Sequence, residues 1–431
     1  MITSIRLANF KNFADETLRV GPFTVIVGAN ASGKSNIRDA FRFLHGIGRG
    51  YTLAEIIGGK YGAGGQSEWE PIRGAPNEIA RLDRSADSSR LSFESSLSPF
   101  YGPSVFSLHV NLKLSGITTY YSIKIGFDPL GPDGFQVLEE ELKTETVIIY
   151  ATEETRELGL CLFAGKTMET IELQTELSRS QPALTQVREG DGIEEMFDVI
   201  EEMIYCLANM RFLELSPNQM REPSFPGANI LGDSGENFPT VLEEVCADRK
   251  RREILASWVH ELTPMDVKDF EFPRDPSGRV HLMLCEANGS KVSAYSASDG
   301  TLRFIAMLAV LLDKNPTGLY FFEEIDNGIH PVRLNLLTDL IERQSAKHGI
   351  QVLTTTHAPT LLTVMNDNTF ENTSVVCRLE DTSDAIIRPV ADLPNVRKLR
   401  QDQGLGRLHE SGWMENALFF TEDYEKAEGG S

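Results

Sequence analysis

Residues 2–20 alternate apolar and polar positions (Ile2, Ile5, Leu7, Phe10, Phe13, Leu18, Val20), and the alternation predicts two short strands. The next run, Phe23-Thr24-Val25-Ile26-Val27, is apolar, as a buried strand is. From Asn36 the period changes, and Ile37, Phe41 and Leu44 fall on one helical face. Residues 46–90 are rich in Gly, Ser and charge and read as a long, mobile connection. From 91 to 164 the pattern is β. Val105 to Leu114, Thr118 to Phe127 and Val137 to Tyr150 are strand-like, with turns at Ser115-Gly116 and Pro129 to Gly134, so an antiparallel layer is expected.

The pattern changes near 190. Ile193, Met196, Phe197, Ile200, Met203 and Ile204 make an apolar helical stripe opposite Glu194, Glu195, Asp198, Glu201 and Glu202: a half-buried helix with a solvated acidic face. Residues 212–240, broken by Pro217, Pro223, Pro226 and Pro239, read as an extended linker. One helix is predicted over 239–262, with Arg249-Lys250-Arg251-Arg252 distributed around it. A solvated helix is the first reading of that run, a nucleic-acid or partner contact the second. After 278 the pattern is α/β: an apolar helix from Leu302 to Leu312, a strand Leu319 to Phe322, a helix 332–346 opened by Pro331 with Leu334, Leu337 and Ile341 inward, and a strand Ile350 to Thr355.

Composition changes this picture in three ways. The longest uninterrupted apolar run, Phe304 to Leu312, is about half of what a spanning helix needs, and the start carries no signal-peptide pattern. Five cysteines lie far apart without metal-ligand spacing, which fits a reduced cytoplasm. The 41 basic and 63 acidic residues give a net charge of −22, which opposes nonspecific attraction to DNA or anionic lipid.

The chemistry is concentrated at Gly28-Ala29-Asn30-Ala31-Ser32-Gly33-Lys34-Ser35, between the apolar strand and the Ile37/Phe41/Leu44 helix. That is the context of a phosphate-binding loop. Gly28 and Gly33 let successive N–H groups converge on phosphate oxygens, and the helix start adds partial positive charge. Lys34 can reach the β- and γ-phosphates, and the Ser35 hydroxyl can ligate Mg²⁺. The strand Leu319 to Phe322 ends in Glu323-Glu324, and the strand Ile350 to Thr355 ends at Thr356-His357. Strand ends of an open α/β sheet are where ligands bind. One carboxylate near Mg²⁺ completes a metal shell, a second orients or deprotonates the attacking water, and His357 can hydrogen-bond the γ-phosphate or that water.

In this order and spacing the motifs resemble the ABC-type ATPase heads of the RecF, SMC and OLD group, above all the standalone ATPases of bacterial anti-phage operons. The resemblance implies that Gly28 to Ser35, including Asn30 and Ser32, are the Walker A motif. It implies that Ser298, Asp299 and Gly300 are the signature motif, Glu323 the Walker B acid and Glu324 the catalytic glutamate. Asn327 to His330 fall on the D-loop and His357 on the switch histidine. Lys11, in Asn9-Phe10-Lys11-Asn12-Phe13, resembles the basic residue that approaches the phosphates, and Gln66 is the candidate Q-loop glutamine and third metal contact. Two positions depart from the pattern: Glu323 stands where Asp is usual, and the signature reads Ser-Asp-Gly-Thr. Only 262 residues separate Ser35 from Ser298, without heptads, and 74 follow His357, so neither SMC arms nor an OLD-type TOPRIM nuclease is expected.

The expected fold is therefore α/β: an ABC-type P-loop NTPase head with an antiparallel β layer and a helical insertion. Its expected divisions are an N-terminal lobe at 1–170, the insertion at 171–261 and a C-terminal lobe at 262–431. The resemblance implies ATP and Mg²⁺ as cofactors, ATP hydrolysis, a homodimer or higher oligomer closed through composite sites, and control of an effector from a neighbouring gene. A RecF-like repair ATPase that holds DNA directly is the alternative. The tail 392–431 suits either partner docking or packing on the head.

Overall fold

The computed structural model describes residues 1–81, 104–127, 134–154, 160–165, 171–187, 194–262, 267–379 and 383–418. Ile193, most of the turn expected at 129–134, the end of the Gly- and Ser-rich connection and the last residues of the tail lie outside the described residues. The chain divides into two compact units. The first holds Met1–Gly21, Gly28–Met210 and Val376–Arg388; the second holds Pro22–Val27, Arg211–Val375 and Pro389–Ser431.

The first unit is built on an eight-stranded sheet. Its order is Ile171–Leu177, Leu160–Gly165, Ile148–Glu154, Phe135–Thr144, Ile117–Phe127, Ser104–Leu114, Ile2–Phe10 and Phe13–Arg19, and every pairing is antiparallel. The two N-terminal strands thus join the antiparallel layer, extending it beyond the 91–164 region. Alternation told which residues are strand, but not which strand they pair with. The inner face is apolar. Phe106 meets the rings of Phe10 and Phe43 edge-on at 5.5 and 5.6 Å, and Phe43 belongs to the helix Lys34–Gly48.

That helix is buried from Ile37 to Gly48, not along one stripe. Its other side carries the helix Glu194–Ala208, and a Cβ on Gly48 would stand 2.6 Å from Leu207, so glycine permits the approach. Ile200, Met203 and Leu207 of that helix are buried while Asp198 and Glu201 are exposed, as the stripe predicted. Part of the supposed mobile connection is ordered: a helix Leu53–Gly58 with a Thr52/Glu55 capping box, then a two-stranded hairpin, Lys60–Tyr61 with Ser67–Trp69.

In the second unit the strands Met210–Leu213, Leu319–Phe322, Gln351–Thr356, Phe23–Val27 and Thr373–Arg378 lie side by side, the last four parallel. Leu319–Phe322, Gln351–Thr356 and Phe23–Val27 are buried at every position, the mark of parallel strands covered on both faces. A separate three-stranded sheet, Val267–Glu271, Met283–Glu286 and Lys291–Ser293, precedes the helix Asp299–Leu311.

The helix expected at 239–262 is two helices, Phe238–Ala247 and Arg249–Leu262. Asp248 adopts an extended ψ of 112°, and its carboxylate accepts from the N–H groups of Lys250 and Arg251 at 3.0 and 3.2 Å. A helix end and a new N-cap thus coincide in one residue. Arg249 pairs with Glu253 and Arg252 with Asp269, so much of the basic run is neutralised locally. The presumed linker contains the strand Met210–Leu213 and a short helix Pro217–Met220.

Candidate functional site

In the first unit the loop Gly28–Ser35 is shaped before any phosphate arrives. Ala31 has φ 63° and Gly33 φ 115°, left-handed positions that turn successive N–H groups to one side. A Cβ on Gly33 would stand 2.8 Å from the Asn12 amide and 3.2 Å from the Phe13 ring; one on Gly28 would stand 2.8 Å from Ser32 Oγ and closer still to the carbonyl of Val376. Gly33 also caps the helix Lys34–Gly48 without a side-chain hydrogen bond, leaving the helix start to an anion. Ser32 Oγ is buried without a hydrogen-bond partner among the described residues, and Lys34 Nζ donates to the carbonyls of Gly28 and Ala29 at 2.6 and 2.7 Å. A glycine cradle, an orphaned hydroxyl and a lysine folded onto carbonyls fit a phosphate chain. Asn30 is exposed at the tip of the loop.

Two cations gather beside this helix. Asp39, fully buried, accepts from Lys11 Nζ and, at 3.2 Å, from Arg73 Nε. Arg73 also donates to the Ser35 carbonyl at 2.5 Å, and Lys11 to the Arg73 carbonyl at 2.7 Å. Burial pulls the Lys11 ammonium below the usual lysine range, and Asp39 partly offsets it. The turn that carries Lys11 (φ 53°) is tied to the helix by Asn36 Nδ2 donating to Asn12 Oδ1 at 2.7 Å. Gln66 is exposed in the turn of the two-stranded hairpin, where its carbonyl accepts from Gly62 N–H.

In the second unit, parallel register sets Thr354 opposite both Phe322 and Val25, and Thr356 opposite Val27. The carboxyl ends of these strands therefore share one edge, from which the chain runs on into Glu323, His357 and Gly28. Glu324 sits in the left-handed region at φ 49°, a conformation that costs a non-glycine residue about 1 kcal/mol. Its N–H donates to Thr355 Oγ1 at 3.3 Å. Its carboxylate lies between two partners: Oε1 is 3.2 Å from His357 Nδ1, and Oε2 accepts from Asn327 Nδ2 at 3.2 Å. Asp326 is buried and accepts from Thr356 Oγ1 at 2.7 Å; burial pushes its carboxyl above the usual range. Glu323 N–H donates to the Leu213 carbonyl at 3.1 Å, and a cleft of about 200 Å³ opens beside it, walled by Leu213, Leu215, Arg303, Met307 and Asn327.

Ser298 is the N-cap of the helix Asp299–Leu311, its Oγ accepting from Thr301 N–H at 3.2 Å and lying 2.8 Å from Thr301 Oγ1. Asp299 is held by Arg221, which donates to its carboxylate at 2.6 Å and to the Ala297 carbonyl at 2.9 Å. Gly300 touches the turn after Glu324: a Cβ there would stand 2.8 Å from the carbonyl carbon of Gly328 and nearer still to its oxygen. Arg303 joins the same turn, donating to the carbonyls of Leu215 and Asn327 at 3.1 and 3.3 Å. Sequence reasoning missed Asp39, Arg73, Thr355, Arg221 and Asp326. Only Asp326, four residues after the strand's end, carried a local signal.

A phosphate loop, a helix start capped by Ser298, an acidic strand end and a histidine-tipped strand, in this order on a mixed α/β fold with an antiparallel sheet, are the features that the chain shares with the ABC-type heads of the SMC/RecF-like group. Residues 23–128 and 264–363 match the family described as an AAA domain, putative AbiEii toxin, type IV TA system. A 64-residue segment is 42% identical to the chromosome partition protein Smc of Rhodopirellula baltica, a match covering 13% of this chain and 5% of that protein. Among solved structures, the Smc head bound to the C-winged helix domain of ScpA superposes with a TM-score of 0.46 at 15% identity, over 90% of this chain and 98% of that one. The Pyrococcus furiosus Smc head bound to the C-terminal domain of ScpA gives 0.46 at 13%, over 93% and 98%. The Thermotoga maritima head gives 0.40 at 13%, over 90% and 98%. Among the described residues no helix is long and apolar enough to cross a membrane.

Proposed function

We propose that the chain binds ATP with Mg²⁺, hydrolyses it slowly, and uses ATP-gated closure of two heads to control a separately encoded effector, such as a nuclease, in anti-phage defence. The observation that carries the chemistry is the Glu324 carboxylate, set at a strand end between His357 Nδ1 and Asn327 Nδ2, each at 3.2 Å. A carboxylate held on both oxygens keeps one orientation and still has lone pairs to accept a proton from water, the work of a general base. His357 beside it would donate to the γ-phosphate or to the same water. On binding, Lys34 exchanges two neutral carbonyls for phosphate oxygens, and the helix start receives the negative charge.

Ser35 and Glu323, with Gln66 as a further candidate, would hold Mg²⁺; hydroxyl, amide and carboxylate oxygens suit that hard cation. Among the described residues no group of three His, Cys, Asp or Glu gathers as a cage, and a nucleotide-site Mg²⁺ needs only one or two protein oxygens besides phosphates and water. When bound, Mg²⁺ neutralises charge developing on the β- and γ-oxygens. The composite site is supported by Ser298, a hydroxyl on a helix start beside the Gly300 N–H, suited to a γ-phosphate carried by another protomer. The defence role rests on the resemblance and on the toxin–antitoxin description of the matched family. The net charge of −22 weighs against holding DNA directly.

The test is nucleotide chemistry in defined variants. Glu324→Gln is expected to keep ATP affinity within a few-fold and to lower hydrolysis by about a hundredfold or more. Lys34→Ala should lose binding itself. Ser298→Arg should bind nucleotide yet fail to close or hydrolyse, and mixing it with Lys34→Ala should restore part of the rate through one intact composite site. Normal hydrolysis by Ser298→Arg as a monomer would end the composite-site model. Co-purification with a neighbouring gene product, sensitive to ATP, tests effector control.

A further inference from the structure

The C-terminal segment packs in the second unit on the stretch that follows His357. Arg397 pairs with Glu371 and Arg400 with Asp367, and both guanidinium groups lie over the Phe370 ring at 5.6 and 4.5 Å. The helix Leu405–Glu410 then crosses the helix Pro359–Val364 at a glycine: a Cβ on Gly406 would stand 2.7 Å from the Pro359 carbonyl oxygen. Leu405 and Leu408 are buried in that contact, as are Leu361 and Leu362. One turn on, His409 Nε2 lies 3.3 Å from the carbonyl oxygen of His357. A carbonyl only accepts, so Nε2 carries the hydrogen in this pair.

We propose that His409 is a positioning residue for His357, and that residues 396–418 thereby set the rate of hydrolysis. The inference rests on the reading of Glu324 and His357 as the hydrolytic pair. His357 occupies a two-residue bridge between the strand Gln351–Thr356 and Pro359. On its C-terminal side the Ala358 N–H is already fixed, donating to Thr356 Oγ1 at 3.0 Å. The Ala358 N–H and the His357 carbonyl belong to one planar peptide, so the Thr356 and His409 hydrogen bonds hold that plane from both edges. Without the His409 bond the plane is held from one edge only, and the His357 ψ that aims the imidazole at Glu324 Oε1 is less restrained. Packing holds the His409 ring, whose side chain is 10% exposed. The tail is packed on the head, with one polar contact aimed at the backbone of the switch residue.

The experiment compares steady-state ATPase rates and nucleotide affinity in the full chain. His409→Phe keeps the ring and loses the donor; it should lower kcat about three- to tenfold, the worth of one hydrogen bond in a barrier, and leave ATP affinity and Tm unchanged. His409→Gln places an amide donor where Nε2 was and should keep kcat within about twofold of wild type. Gly406→Ala, which lifts the helix from Pro359 and carries the unaltered His409 ring away with it, should lower kcat as His409→Phe does. Full activity in His409→Phe, or a loss in His409→Gln equal to that in His409→Phe, overturns the proposal. Glu324→Gln serves as the reference: if it is inactive while His409→Phe is fully active, this inference alone has failed. If Glu324→Gln is itself fully active, the reading of the pair has failed and this inference falls with it.

Discussion

Gly300→Ala tests whether the helix Asp299–Leu311 and the turn after Glu324 move as one body. The added Cβ would stand 2.8 Å from the carbonyl carbon of Gly328 and closer to its oxygen, where real Cβ atoms keep at least 3.0 Å. Both neighbours are backbone, so the helix start and the turn must part by about 1 Å, a displacement no side-chain rotation can absorb. Overpacking of this kind costs about 1–3 kcal/mol, or a Tm lower by roughly 1–3 °C for a chain of this size. The chemical cost should be larger. Asn327 precedes Gly328 and holds Glu324 Oε2 at 3.2 Å, so the same displacement loosens the proposed base. A misplacement of about 1 Å is worth up to about a hundredfold in rate. The assay is a thermal melt beside ATPase and nucleotide-binding measurements. Gly58→Ala, on a helical glycine with nothing within 4 Å, serves as the control and should be neutral. If Gly300→Ala melts and hydrolyses as wild type does, the contact is not a constraint and the coupling argument is wrong.

Two further outcomes concern the first unit. Glu140 is buried and accepts from Tyr121 and Tyr150 hydroxyls and from the N–H groups of Ala183 and Leu184 at 2.5–3.0 Å, so Glu140→Gln, which turns an amide against donors, should cost about 1–3 kcal/mol at neutral pH in a denaturant melt. Burial raises the Glu140 carboxyl despite those donors, so its stabilising share is complete below the ordinary carboxyl pKa and declines as pH rises through the raised one; the variant should lose that slope above the ordinary carboxyl range. Asp39→Asn should destabilise by about 3–5 kcal/mol, because it leaves the nearly buried Lys11 ammonium without its counter-charge, and Lys11→Met in the same chain should recover much of the loss. A neutral Asp39→Asn would show that Lys11 finds another partner.

The sequence by itself determined the parts whose physics is local. The phosphate loop was legible because strand, glycines and helix are contiguous. Glu323, Glu324, Ser298 and His357 were legible because each ends a strand or starts a helix, positions marked by a change of periodicity. The break at Asp248 was also written locally, as an acidic N-cap before Arg249, and was hidden only because the apolar period continues on both sides. Tertiary structure decided what meets what. Alternation along residues 2–20 is the same whether those strands join the parallel or the antiparallel sheet; pairing with Ser104–Leu114 settled it. Asp39 gathers Lys11 and Arg73 from 28 and 34 residues away, Arg221 reaches Asp299 across 78, and His409 reaches His357 across 52. No periodicity encodes such meetings. A side chain's spacing fixes the face it occupies, but its partner is fixed only when the whole core closes around both.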